Sequence, residues 1–141
     1  MKRTRKAISL VFKNSENKIL TTKRSLIYNF PGFWSIPSIY LRENEKPQEA
    51  ANRLVKNQLG LKSVEISFNP IGTVVDDREN YKLHMEDYDV LSYEGEFNLD
   101  QKHYIDRKWV SPQEFYDLVK KEHKGQMGEC TRILFKIYDL L

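Results

Sequence analysis

The sequence predicts an α/β (α+β) fold, because strand patterns and helix signals follow one another along the chain in a defined order. Short extended segments come first, then a capped helix, then longer extended segments and finally two helices. The 141 residues are 40% hydrophobic and 12% aromatic, which is typical of a globular chain with a buried core. We therefore expect a single domain over residues 1–141.

The N-terminal third is predicted to be mainly extended. Residues 6–14 and 18–24 are rich in strand formers and flank a polar turn, so they are predicted to form a hairpin. The loop 29–32 then leads into a short extended segment at 33–37. A polar stretch follows and ends at Pro47, a residue suited to the first turn of a helix.

The first helix is predicted over residues 47–59. Gly60 follows it and suits a left-handed C-terminal cap, since glycine adopts positive φ without strain. The apolar residues of this segment cover more than one stripe: Ala50, Ala51, Leu54, Val55 and Leu59.

The second half is predicted to contain three extended segments and two helices. The segments are residues 63–76, 81–97 and 103–110. Ser111 is predicted to cap the second helix, which has Pro at its first position and Glu114 at the capping-box position. Its expected apolar face is Phe115, Leu118 and Val119, and the third helix is predicted at 129–140 with Cys130, Ile133, Leu134, Ile137 and Tyr138 on one face.

Charge and cysteine content narrow the function classes. The net charge is +3, and part of the positive excess lies in a basic N-terminal run, Lys2, Arg3, Arg5 and Lys6. This run is expected to be solvated and frayed, and contact with phosphate or nucleic acid is the alternative. No aromatic residue interleaves with this run, which disfavours a nucleic-acid partner. The apolar run after it has six residues, too few for a signal peptide or a membrane span, so a cytoplasmic protein is expected. The single cysteine, Cys130, excludes an internal disulfide and is expected to be a buried thiol.

Residues 38–61 carry the most specific motif. Their spacing resembles the Nudix box, G-x5-E-x7-R-E-U-x-E-E-x-G-U, where U is aliphatic. In an alignment on Arg53, Glu45 matches the first Glu and Gly60 the last Gly, and the aliphatic positions hold Val55 and Leu61. The segment RKWVSPQEF at 107–115 also resembles the family's strand-to-helix step. The resemblance covers nearly the whole chain and implies a Nudix-type α/β/α sandwich with a mixed β-sheet.

Four box positions differ from the motif. Ile39 stands at the first Gly, and Leu54, Asn57 and Gln58 stand where the family has three Glu. In the family those carboxylates hold Mg²⁺ or Mn²⁺, which activates water during diphosphate hydrolysis. Positions 54, 57 and 58 are expected to share one helix face, and here that face has no charge, so any Mg²⁺ or Mn²⁺ is expected to bind weakly.

The remaining box residues and a downstream acidic cluster are the candidate metal ligands. Glu45 and Arg53 are expected to form an ion pair that shapes the loop; the alternative is a metal site that uses Glu45 with Glu43 or Glu49. Glu86, Asp87 and Asp89 lie on the long predicted strand, where a carboxylate beyond the box often completes the site in Nudix enzymes. A solvated strand face is the favoured interpretation of this cluster, and Asp87 is the candidate ligand if a metal site exists. The three histidines show no metal-ligand spacing.

Residues near the end of the second predicted strand are the candidate ligand contacts. Arg24 and Tyr28 are the candidates to bind a phosphate and stack on a base, with ordinary residues of a hairpin end as the alternative, whereas Phe33 and Trp34 are expected in the core. Residues 20–35 are also similar to the active-site approach of type 1 isopentenyl-diphosphate isomerases. Those enzymes need a Cys and a His just after the Trp, and residues 36–39 supply neither, so that activity is rejected.

Three functions remain open from the sequence. The favoured one is a Nudix-superfamily protein that binds a nucleotide or another phosphorylated small molecule, with impaired or lost metal-dependent pyrophosphohydrolase activity. The second is an active diphosphate hydrolase that recruits metal through non-standard carboxylates. The third is a partner-binding domain whose cleft is filled.

Overall fold

The computed structural model describes residues 2–28 and 30–141, so Asn29 of the predicted loop 29–32 lies outside the described residues. The first helix continues into a π-helical turn, Val55–Leu59, and the two together are called the box helix. The strands are β1 (Arg3–Val11), β2 (Ile19–Arg24), β3 (Trp34–Ser35), β4 (Ser38–Tyr40), β5 (Ser63–Ile66), β6 (Gly72–Asp77), β7 (Tyr81–Glu94) and β8 (Tyr104–Val110), and the helices are α1 (Pro47–Leu54), α2 (Pro112–Glu122) and α3 (Glu129–Ile137). No described helix is long and apolar enough to cross a membrane.

The larger sheet is mixed and is organised by the 14-residue strand β7. Strand β1 runs parallel to β7, with Arg3 opposite Tyr81 and Val11 opposite Asp89. On its other edge β7 pairs antiparallel with β6 along its first half and with β5 along its second half. Strand β4 completes this sheet antiparallel to β1.

The smaller sheet is antiparallel, in the order β3-β2-β8. The chain passes from one sheet to the other between β1 and β2, because the turn at 14–17 redirects it. Asn14 makes this turn by accepting the backbone N–H groups of Glu16 and Lys18 on its side-chain oxygen, at 3.0 and 2.9 Å.

Successive side chains of β1 point to opposite faces of the larger sheet, so the strand contributes to a hydrophobic core on each face. One face, with Ile8 and Leu10, packs against the buried side of the box helix. The opposite face, with Ala7, packs against α2 and α3. This arrangement confirms the predicted α/β/α sandwich with a mixed sheet.

The helix caps agree with the sequence pattern. Ser111 accepts the Glu114 N–H at 3.1 Å, and the Glu114 carboxylate accepts the Ser111 N–H at 3.4 Å, which completes the predicted capping box. Gly60 has φ +74°, and a Cβ there would lie 2.5 Å from the Asn98 carbonyl oxygen. Both the conformation and the close approach therefore require glycine at this position.

The first strand begins earlier, and the third helix ends earlier, than the sequence predicted. The basic N-terminal run is not frayed: β1 begins at Arg3, three residues before the predicted start, because it pairs with β7 from its first residue. Lys2 also donates to the Arg78 carbonyl at 2.6 Å and to Asp77 at 3.1 Å. The third helix ends at Ile137, not at 140, because Asp139 adopts a positive φ of 56°.

The predicted segment 63–76 is two strands. Strands β5 and β6 lie along different halves of the same edge of β7, and residues 67–71 bridge them. The backbone N–H groups of Ser67 and Ile71 donate to the carbonyls of Asp89 and Asp87, whereas Pro70 has no N–H to offer a strand. Strand β7 itself ends at Glu94, not at 97, because Gly95 turns the chain with φ +101°.

Candidate functional site

The face of the box helix differs from the predicted one because the helix changes its pitch there. The Gly60 N–H donates to the Val55 carbonyl, an i→i+5 bond that makes a π-helical turn and rotates the residues after Leu54 relative to an α-helix. Leu54 is 0% exposed and packs in the core, whereas Asn57 is exposed to solvent. Gln58 is half-buried, lines the cleft described below and accepts the Tyr104 hydroxyl at 2.8 Å. Of the three positions predicted to share one helix face, one is therefore buried in the core, one is exposed and one lines the cleft.

Glu45 and Arg53 form the predicted ion pair. Arg53 Nε donates to Glu45 Oε2 at 3.0 Å and one terminal nitrogen donates to Oε1 at 2.9 Å and to the Tyr40 carbonyl at 2.7 Å. The Arg42 N–H also donates to Glu45, at 2.9 Å. The hydrogen bonds from Arg53 lower the pKa of Glu45, so this carboxylate is ionised and both its oxygens are engaged in holding the loop 40–45 against the helix.

The other acidic candidates are exposed or engaged elsewhere. Glu43 is exposed, and Glu49 accepts the Lys46 N–H at 3.1 Å as the capping box of α1. Glu86 and Asp89 lie near basic groups, at 3.7 Å from His84 and 3.6 Å from Lys13. These carboxylates are therefore dispersed over several elements.

Asp87 is buried inside the larger sheet. It is 0% exposed, accepts the Ser9 hydroxyl on Oδ1, and leaves Oδ2 without a hydrogen-bond partner. Burial raises the pKa of Asp87 to about 8, so the side chain is mainly protonated at neutral pH. A neutral carboxyl group is a poor ligand for a divalent cation.

The donor set around the box helix does not fit Mg²⁺ or Mn²⁺. Among residues 2–28 and 30–141, no three His, Cys, Asp or Glu side chains are grouped so that they could hold a metal ion. Glu45 and Asp87, the predicted metal ligands, are held by Arg53 and Ser9 respectively. Their assignment as ligands stays a prediction.

A cleft of about 390 Å³ opens between the two sheets beside the box helix. Its walls are rich in aromatic rings, and it also carries a few polar side chains from both sheets. The aromatic residues are Tyr28, Phe30, Phe33, Trp34, Tyr40, Tyr81 and Tyr104. Arg24 and Tyr28, which the sequence predicted as ligand contacts, both line the cleft. A cavity of this size with apolar walls and few polar groups is typical of a small-molecule site.

The loop 97–103 contributes His103 to this cleft and also carries Asp100, which contacts the His103 ring. His103 lines the cleft, and its Nδ1 lies 2.8 Å from Asp100 Oδ2. The Tyr28 ring stacks on the His103 imidazole, with centroids 4.8 Å apart and planes 16° from parallel. The sequence did not predict the contact of His103 with the cleft. The spacing Asp-x-x-His within a loop was the only signal in the sequence.

Another part of the cleft is built from tyrosines and compensated arginines. The hydroxyls of Tyr40 and Tyr81 are 3.5 Å apart, and the Arg5 guanidinium lies 3.8 Å from the Tyr40 ring centroid. Arg78 pairs with Glu129 at 2.5 Å and with Asp76 at 2.8 Å. Arg5 therefore has a packing role, and the Arg78 charge is balanced within the protein.

The predicted core aromatics and the cysteine lie at the wall of the cleft. Trp34 is buried, as predicted, whereas Phe33 is only half-buried and stacks on the His123 ring at 4.0 Å. His123 Nε2 accepts the Trp34 N–H at 3.0 Å, and burial lowers the pKa of His123, which keeps it a neutral acceptor. Burial raises the pKa of Cys130 to about 12, so the thiol stays protonated, as its predicted structural role requires.

Comparison with known families decides the assignment. A family model of the NUDIX domain matches residues 3–132, nearly the whole chain. The chain belongs to the Nudix family. Hydrolases of this family generally use divalent metals and nucleoside-diphosphate-type substrates. No curated protein sequence matches the chain.

Solved structures share the Nudix fold at low sequence identity. The Escherichia coli ORF135 protein superposes with a TM-score of 0.79 at 15% identity, over 99% of this chain and 91% of that one. A MutT protein from Methanosarcina mazei Go1 gives 0.75 at 19% identity, over 98% and 94%. A MutT NUDIX hydrolase from Burkholderia pseudomallei gives 0.72 at 16% identity, over 96% and 98%. At these identities the likeness shows the fold alone.

Proposed function

We propose that this Nudix protein binds a nucleoside-diphosphate-type ligand in the cleft between its sheets, and that its metal-dependent pyrophosphohydrolase activity is impaired or lost. The observation that carries the proposal is the box helix. Where the motif has three carboxylates, this chain has a core leucine, an exposed amide and an amide bonded to Tyr104. Loss of three charges from a cage of hard oxygen ligands removes most of its affinity for Mg²⁺.

The walls of the cleft support a ligand with a ring and a phosphate. Aromatic side chains offer flat apolar surfaces for stacking, and Arg24 lines the same cleft as Tyr28 with a positive charge. A guanidinium recognises phosphate oxygens through paired hydrogen bonds. The volume of about 390 Å³ supports an open site, which disfavours the filled cleft of a partner-binding domain.

An active hydrolase with non-standard ligands is the second candidate. It requires Glu43, Glu45, Glu49 and the 86–89 carboxylates to converge on one ion. Glu45 is bound to Arg53, and Asp87 is buried and mainly neutral, so both would have to give up their present partners. The free energy needed for such a rearrangement would lower the affinity for the metal ion.

Calorimetric titration with Mg²⁺ and Mn²⁺, combined with a hydrolysis panel of nucleoside diphosphate compounds, separates the candidates. We expect no metal binding in the micromolar range and no turnover at ordinary enzyme rates, of roughly 1 per second or more. Micromolar metal affinity together with such turnover would establish the active hydrolase. A protein that binds none of the nucleotides would point to the partner-binding domain.

Location and partners follow from the same proposal. We place the protein in the cytoplasm, since its one cysteine is a buried free thiol and its ligand class is intracellular. Its partner is a nucleotide or another phosphorylated small molecule, not a membrane. The basic N-terminal residues are held in β1 and its contacts with β7, which disfavours a free nucleic-acid arm.

A further inference from the structure

Asp100 and His103 form a dyad at the cleft that the Nudix motif does not contain. Their side chains are about 30% exposed, at 31% and 28%, so the pair is open to a ligand but not free in solvent. The Lys102 N–H and the His103 ring lower the pKa of Asp100, which keeps the carboxylate ionised. An ionised carboxylate 2.8 Å from Nδ1 accepts a hydrogen bond from Nδ1–H and so fixes the tautomer of the ring.

The dyad is anchored to the C-terminal end of the box helix. The N–H groups of Asn98 and Asp100 donate to the carbonyls of Leu59 and Gln58, at 2.8 and 2.9 Å. The His103 carbonyl in turn accepts the Ser25 N–H at 2.9 Å, which ties the loop to the end of β2. The loop is therefore bonded to Gln58, one of the three positions at which the motif has a carboxylate, and its His103 lines the same cleft as Gln58.

The chemistry of the oriented ring decides what it can bind. With Nδ1–H donated to Asp100, Nε2 is the remaining ring nitrogen, and in the neutral ring it carries a lone pair that repels phosphate oxygens. Protonation converts Nε2 into a charged donor that attracts them. The charged or titratable groups next to the ring are Asp100 and Lys102 on its own loop, Tyr28 stacked on it and Tyr104 beside it. Arg24 lines the same cleft from the end of β2.

We propose that His103, oriented by Asp100, takes up a proton when the diphosphate group of the ligand enters the cleft, and that the imidazolium and Arg24 together replace the metal ion as the positive charge for that group. The inference rests on the proposed function and names the subsite that makes ligand binding metal-independent. Asp100 is the positioning residue, because it acts through the ring. Binding is consequently linked to proton uptake.

Calorimetry in EDTA at pH 7 tests the linkage. The probes are ADP-ribose, GDP-mannose, CDP-choline and UDP-glucose, whose phosphates are diesters and do not titrate near neutral pH, unlike a terminal phosphate with its second pKa near about 6. Each titration is run in PIPES and in Tris, because protons drawn from two buffers of different ionisation enthalpy change the measured heat in proportion to their number. We expect at least one probe to bind with proton uptake.

Three variants test which residue takes up the proton. His103→Gln keeps a donor but cannot take up a proton, and we expect about tenfold weaker binding with no uptake. Asp100→Asn should reduce uptake while the chain stays folded. His84→Gln is the matched control, because His84 is a half-exposed histidine outside the cleft, and it should behave like the unmodified protein.

Each remaining outcome overturns a defined part of the proposal. Equal heats in both buffers, or uptake that persists in His103→Gln, overturn the inference and leave the proposed function standing. Failure of all four probes to bind overturns both. Imidazole ¹⁵N spectra of the unmodified protein give an answer that needs no variant: His103 must show both nitrogens protonated with probe bound, and a neutral ring in the complex contradicts the proposal.

Discussion

Replacing Leu54 with glutamate restores a carboxylate to the box at a position that the structure places in the core. Leu54 is 0% exposed and packs with residues of β1 such as Ile8 and Leu10. Truncation to alanine leaves a cavity and should lower the free energy of unfolding by about 2–5 kcal/mol. Glutamate adds the cost of burying a charge, so the loss should exceed that of Leu54→Ala. Since domains are stable by about 5–15 kcal/mol, we expect Leu54→Glu to be largely unfolded at 37 °C.

Urea unfolding followed by circular dichroism and by tryptophan fluorescence measures the effect, because Trp34 is buried and reports on the core. Asn57→Glu is the matched control: it introduces the same group on the same helix at an exposed position, and it should change stability by less than about 0.5 kcal/mol. A Leu54→Glu protein within about 1 kcal/mol of the unmodified chain would refute the reasoning, since its side chain would then face the cleft or solvent.

Three further predictions follow from the site. The double change Asn57→Glu, Gln58→Glu should fold but bind Mg²⁺ more weakly than about 1 mM by calorimetry, because the buried Leu54 supplies no third carboxylate. Tighter binding would show that the two new carboxylates suffice to hold the ion. Glu45→Gln should weaken the bond to Arg53 and cost about 1–3 kcal/mol in urea unfolding at pH 7. The pKa of Glu45 is lowered by folding, so this cost should be complete above the ordinary value of 4.5 and decrease as pH falls through the lowered pKa, and a cost that stays constant on acidification would contradict the ion pair. Folding raises the pKa of Asp87 from 3.8 to about 8, so the folded chain keeps a proton that the unfolded chain releases, and stability should fall as pH rises across that window. Asp87→Asn should remove this slope and add at least about 1 kcal/mol at pH 8, and an unchanged slope would show that Asp87 is not its source.

Local signals explain what the sequence predicted correctly. The capping box at Ser111 and the glycine cap at Gly60 depend on residues within a few positions of each other, so their patterns are readable without tertiary information. The pair of Glu45 and Arg53 was also readable, because the motif spacing places both on one loop-helix unit. Element order followed from these caps and from strand composition.

Tertiary contacts explain what the sequence did not predict. In the π turn after Leu54, the carbonyls of Leu59 and Gln58 accept hydrogen bonds from the N–H groups of Asn98 and Asp100. Those donors lie about forty positions away along the chain. The order of the N-terminus likewise depends on pairing with β7, not on its own composition. The same long-range contacts hold the loop that carries His103, and the spacing of Asp100 and His103 does not by itself predict that the ring lines the cleft.

The most direct test of the central claim is a thermal-shift measurement with nucleoside diphosphate compounds in EDTA and again with Mg²⁺. A ligand that binds the folded chain raises the melting temperature, so the shift reports occupancy of the cleft whether or not hydrolysis occurs. The account predicts the same rise in EDTA and in Mg²⁺, with the nucleotide recovered intact. A rise that requires Mg²⁺, accompanied by release of hydrolysis products, would contradict it.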